Sequence, residues 1–98
     1  MPRDPLTLAG RAYQAAANLA ELLSGDVRIA DPGPLLAAMR ATGIMLAGCC
    51  QELADAADGA NQDEAAAELR AAMVQHAEAA NAVARAVQAF RSAGVRGR

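Results

Sequence analysis

The chain has no lysine and no tryptophan, one tyrosine, one phenylalanine, and two cysteines that stand side by side, Cys49 and Cys50. Each scarcity excludes something. Two adjacent thiols cannot build the disulfide framework on which small secreted domains rely, so a cytoplasmic setting is the expectation. Consecutive helical residues point about 100° apart, so the pair does not converge on one metal ion. With His76 as the one imidazole, the chain also falls short of the four ligands of a structural zinc site. Neither a metal nor any other cofactor is expected.

Without lysine, the nine basic side chains are all arginine and face eleven acids, for a net charge of -2 and a pI near 5.2. That balance argues against a general binder of nucleic acid or anionic membranes, which carries a basic face. Long apolar runs are missing too. Leu35 to Cys50 is broken by Arg40 and is shorter than the roughly 18 residues of a spanning helix. Met1 to Pro5 leads into an alanine-rich amphipathic segment rather than the apolar stretch of a signal peptide. A membrane is therefore not among the expected partners.

What the chain does have is alanine, which supplies about half of its 54% hydrophobic share. An alanine buries little area, and burial stabilises by roughly 25 cal/mol per Å². A lone 98-residue copy would have a thin core, and association is a common remedy for small chains in that position.

The pattern predicts an all-α fold: a single domain over residues 1–98, built as a three-helix up-down-up bundle with a long C-terminal helix and assembling as a dimer. Asp4 before Pro5 is a helix start, an N-cap acceptor followed by a residue whose missing N–H costs nothing at the first position. Helix 1 is expected over about 5–24, with Leu8, Ala12, Ala16, Leu19 and Leu23 on one stripe. Gly25 is expected to close it in the left-handed conformation. Asp31-Pro32-Gly33-Pro34 cannot continue a helix, and Val27 and Ile29 read as a short extended piece lying on the bundle.

Helix 2 is expected over about 34–58, packing through Leu35, Met39, Thr42, Leu46, Cys49, Leu53 and Ala56 at alternating spacings of four and three. No charge occurs between Ala41 and Cys50, and Ile44 and Met45 point away from that seam, so this half of the helix is apolar all round. Asn61 and Glu64 have the spacing of a capping box and put the start of helix 3 near Gln62. Helix 3 is expected over about 62–92, with 93–98 as a frayed tail, and Ala66, Leu69, Met73, His76, Ala80, Val83, Val87 and Phe90 form its stripe. The short link between helices 2 and 3 makes them antiparallel neighbours.

No arrangement of residues supports nucleophilic or acid–base catalysis: the few hydroxyls have no nearby base, and the histidine is single. No enzyme is expected. Gly43 and Gly48 lie inside a helix pattern, so they form no phosphate loop; with Ala47 they mark the close approach of another helix. His76, on the core stripe, reads as a hydrogen-bonded structural histidine before a pH-sensitive element.

Charge is the more informative feature. Asp55, Asp58, Asp63, Glu64 and Glu68 surround the link between helices 2 and 3, whereas Arg85, Arg91, Arg96 and Arg98 gather at the far end of helix 3. Complementing the helix dipole explains part of this. Two copies packed antiparallel would also set each basic end beside the partner's acidic end.

The functional expectation is a non-enzymatic, helical protein–protein interaction module. It self-associates through helices 2 and 3, with an interface of Met39, Ile44, Met45, Leu46, Leu69, Met73, His76, Val83, Val87 and Phe90. A second copy is the first partner expected, another helical protein the next. One alternative is a small accessory regulator touching DNA through Arg85, Arg91, Arg96 and Arg98, although no helix-turn-helix signature accompanies them. The other is a helical binder of apolar small molecules lined by Met39, Met45, Met73 and Phe90.

Overall fold

The computed structural model describes residues 4–26 and 28–96, the last three of these in backbone only. Val27 and Arg98, and the side chain of Arg96, thus fall outside the described residues, and so do the expectations placed on them. Among the described residues three helices follow in order: α1 (Pro5–Ser24), α2 (Gly33–Gly59) and α3 (Asp63–Arg96). The all-α class holds, and no strand occurs among the described residues. The chain divides into two compact units, Met1–Ala30 and Asp31–Arg98. Helix-on-helix packing is that of α2 on α3.

The first unit is α1 and its ends. The Asp4 carboxylate accepts from the Thr7 amide at 3.1 Å and from the Thr7 hydroxyl at 2.8 Å, as an N-cap should. Those bonds, the hydroxyl first, hold its carboxyl below the ordinary aspartate value. None of the residues of α1 is buried. Gly25 does close the helix, but in extended backbone (φ -85°, ψ -169°) rather than the left-handed form expected of it. Its N–H reaches back to Leu22 O at 3.2 Å, which satisfies an end carbonyl without a positive φ. Ile29, expected to lie packed, is exposed.

The second unit is a helical hairpin. At its entry the Asp31 side chain accepts from the Gly33 amide at 3.0 Å, occupying the place that Pro32, with no side-chain polar group, cannot fill. At its turn the capping-box reading of Asn61 is overturned. Asn61 sits at φ 59°, in the left-handed region. The amide of Asn61 donates to Asp58 O at 3.0 Å and that of Gln62 donates to Ala57 O at 2.8 Å. This pair of bonds is the Schellman closure, so Asn61 ends α2 instead of opening α3. Gly59, two residues earlier, remains helical. A residue in this conformation is indifferent to a missing Cβ and intolerant of a branched one. Asn61→Gly should leave thermal stability level or slightly raised, whereas Asn61→Val should lower it by about 1–2 kcal/mol in a denaturant titration.

At the other end α3 runs past Gly94 to Arg96, where the sequence suggested a stop. Glycine inside a helix costs only about 1 kcal/mol, and no proline follows to enforce the break. At 1.5 Å per residue α3 is about 51 Å long and α2 about 40 Å, so about two turns of α3 project beyond the start of α2.

The packing surface of α2 is the main departure from the sequence reading. Its inward positions are Leu36, Gly43, Ala47, Cys50, Ala54 and Ala57, all half-buried or buried. They keep the four-three alternation one residue out of step with the expected seam. The expected seam, from Met39 through Leu46 to Leu53, is exposed. On α3 the expected stripe holds from Ala66 to Val87, every member half-buried or buried, and fails at Phe90, which is exposed. The buried core consists of Ala54, Ala66 and Ala80. A Cβ built on Gly43 would stand 3.6 Å from the Ala80 Cβ and 3.8 Å from His76 O, so the two helices approach closely here, as the glycine suggested. Gly48 meets nothing within 4 Å and marks no such approach. Small residues win the inward face because they let two backbones draw together, and the bulky column is rotated outward.

Candidate interaction face

The hairpin has two unlike faces, and an ion-pair cluster shows which is which. In an antiparallel pair of right-handed helices, the residue that follows each inward position falls on one face of the pair for both helices. The residue that precedes each inward position falls on the other. Asp55 and Asp58 follow Ala54 and Ala57, and Arg70 follows Leu69. The Arg70 guanidinium indeed reaches Asp55 at 3.3 Å and Asp58 at 2.5 Å. Its charged form is favoured chiefly by the bond to Asp58. Gln51, which follows Cys50, joins the cluster by donating to Asp55 at 2.9 Å. Asn81 and Gln88, following Ala80 and Val87, continue this face along α3, where Val74, following Met73, is its exposed apolar member. Solvent screens these exposed groups, and their worth lies in fixing which way the helices face.

The opposite face is apolar. On α2 the preceding residues are Leu35, Thr42, Leu46, Cys49, Leu53 and Ala56, with Met39 in line with Leu46 and Leu53 at seven-residue spacing. On α3 they are Ala65, Ala72, Ala79 and Ala86, also every seven residues, with Glu68 and Gln75 between them. Bulky side chains stand exposed on α2: Met39 at 41%, Leu46 at 41% and Leu53 at 58% on this face, and Met45 at 68% on the back of the helix. The Thr42 hydroxyl is turned back onto Ala38 O at 2.9 Å, which takes its polarity out of the face.

The expected interface residues therefore divide. Met39 and Leu46 share this face, whereas Met45, two residues from both Gly43 and Ala47, points away from α3. Ile44, 42% exposed, follows Gly43 and lies on the polar side. Leu69, Met73, His76, Val83 and Val87 are half-buried on the stripe that α3 turns to α2, and Phe90 stands exposed at the projecting end of α3. Leu53 and the alanine column of α3 were missed as members of the face. The signal that finds them is the position just before each small inward residue, read once the seam is known.

Among the residues of the DNA-contact alternative, Arg85 and Arg91 are exposed on α3. The four residues of the apolar-ligand alternative are spread along the hairpin: Met73 is opposite the neighbourhood of Cys50, and Phe90 lies beyond the start of α2. No cluster of three metal-ligating side chains occurs among the described residues, and both cysteines are free thiols, Cys49 exposed and Cys50 half-buried. By length and composition α2 is long and apolar enough to cross a membrane, which corrects the expectation that its apolar run is too short; a signal sequence or the buried core helix of a soluble protein passes the same test, but little of this window is buried. Arg40, Glu52, Asp55 and Asp58 ride on its other sides.

No family model, curated protein or solved structure matches the chain.

Proposed function

We propose that this chain is a non-enzymatic, cytoplasmic, helical protein–protein interaction module that self-associates through the apolar face of its α2–α3 hairpin. One observation carries the reading: α2 spends its small residues on the seam with α3 and holds its bulky ones, Met39, Leu46 and Leu53, outward on one side. Three buried alanines are a slender core for a hairpin of this length, and isolated helices gain most of their stability from packing an apolar face. An exposed apolar column with a polar face behind it is what an interface between subunits looks like before the subunits meet.

Sedimentation equilibrium at micromolar concentration tests the reading. The expected mass is twice the 10.0 kDa of one chain, with a melting temperature that rises with protein concentration. A 10.0 kDa species that fails to bind an apolar-surface dye would overturn it.

A further inference from the structure

Resting on the self-association just proposed, we infer that the partner is a second copy docked antiparallel across a two-fold axis near Leu46 on α2 and midway between Ala72 and Ala79 on α3, so that α2 lies on α2 and α3 on α3 in a four-helix bundle. Three observations on the hairpin lead there.

The first is area. The apolar face is two helices wide, about 20 Å, and as long as α2, about 40 Å. Its extent of about 800 Å² is one partner's share of a standard-size interface. The second is self-complementarity. Met39, Leu46 and Leu53 are evenly spaced, and an axis through the middle one brings Met39 of each copy to Leu53 of the other, as an isologous contact requires. On α3 the alanine column offers a flat surface on which two helices can close at short range.

The third observation chooses the orientation. Two arrangements bring the faces together: hairpins antiparallel, with like helices in contact, or hairpins parallel, with α2 of each on α3 of the other. The hairpin is electrically polar along its length. Glu52, Asp55, Asp58, Asp63, Glu64 and Glu68 crowd the turn end. Among them Asp55 and Asp58 are paired with Arg70, which leaves the turn end acidic; Arg40, Arg85 and Arg91 outnumber Asp31 toward the open end, and Glu78 lies between the two. A parallel pair sets acid on acid and base on base, whereas the antiparallel pair sets each turn end beside the partner's open end. In that pairing Glu68 comes within about 3 Å, along the bundle, of the level of Arg85 in the other copy. Like-charge contact of this kind selects strongly between geometries that apolar area alone leaves equal.

Cross-linking tests the arrangement with Cys49→Ala/Cys50→Ala as the background. Chains carrying Met39→Cys are mixed with chains carrying Leu53→Cys, and separately with chains carrying Ala56→Cys to cover a slip of one turn; all are treated with a short bismaleimide and their masses read before and after. A mixed covalent dimer in either pairing, several-fold more abundant than the Met39→Cys dimer with itself, is the expected result. In the antiparallel pair two copies of position 39 are about 21 Å apart along the bundle, beyond such a linker. A species that sediments as a dimer yet yields no mixed product, or mainly the product of like with like, overturns the orientation and leaves self-association standing. A species that sediments as a monomer overturns both.

Discussion

If the chain self-associates as proposed, Leu46→Glu should leave a monomer at micromolar concentration, raising the dissociation constant at least about a thousandfold. The size follows from symmetry. Leu46 is at the middle of the exposed column, so a two-fold contact brings both copies of the new carboxylate into one desolvated place with no cation beside either. Leaving a buried charge uncompensated costs about 3–5 kcal/mol, and about 4 kcal/mol is a thousandfold in Kd. Helicity should fall with the mass, because a hairpin with three buried alanines would lean on the proposed second copy for burial. Asn81→Glu is the matched control. It places the same charge on an exposed position of α3, on the face that carries the Arg70 cluster, and should leave the mass unchanged. Sedimentation of the two variants side by side separates a face-specific contact from general apolar stickiness: equal masses for both, dimeric or monomeric, would mean that the Met39–Leu46–Leu53 column is not the contact.

The contrast between those two positions also shows what could be read from the sequence and what could not. Helix limits were legible wherever a residue has a single physical role: Asp4 before Pro5 opens α1 as expected, because a carboxylate acceptor and a residue without an N–H satisfy that end together. The inward stripe of α3 was legible because its bulky and small members agree in phase. On α2 they disagree. Two columns run along it with the same four-three rhythm, Leu35–Met39–Leu46–Leu53 and Leu36–Gly43–Ala47–Ala54, one residue apart. A hydrophobicity pattern selects the column with more area, while the fold selects the one that permits the closer approach. Nothing in the rhythm ranks them. The turn was ambiguous for a similar reason. Asn followed three residues later by Glu is a capping box if Asn is extended and a helix stop if Asn is left-handed, and asparagine accepts both conformations. The apolar face itself was half legible: Met39 and Leu46 stood out by their heptad spacing, though as members of the inner seam, whereas the alanine column of α3 is invisible until its inward neighbours are known.

Gly43 allows the rotated seam to be tested with opposite signs at one position. The Cβ of an alanine there would sit 3.6 Å from that of Ala80, an ordinary van der Waals contact, so Gly43→Ala needs no movement of either helix. It should stabilise the hairpin by about 1 kcal/mol, since glycine in a helix interior gives up that much to alanine. A leucine has the same advantage in propensity, but its further carbons enter space held by Ala80 and the backbone at His76. Overpacking of this kind costs about 1–3 kcal/mol, and here it forces two backbones apart along a seam built of small residues. Gly43→Leu should therefore be the less stable of the two by about 2–4 kcal/mol, with a lower urea midpoint than the unsubstituted protein. The seam expected from bulky residues makes the reverse prediction, because it places Gly43 on the flank, where a leucine adds apolar cover at no steric cost. A Gly43→Leu chain at least as stable as Gly43→Ala would therefore return Met39, Leu46 and Leu53 to the inside of the hairpin and leave the dimer without its exposed face.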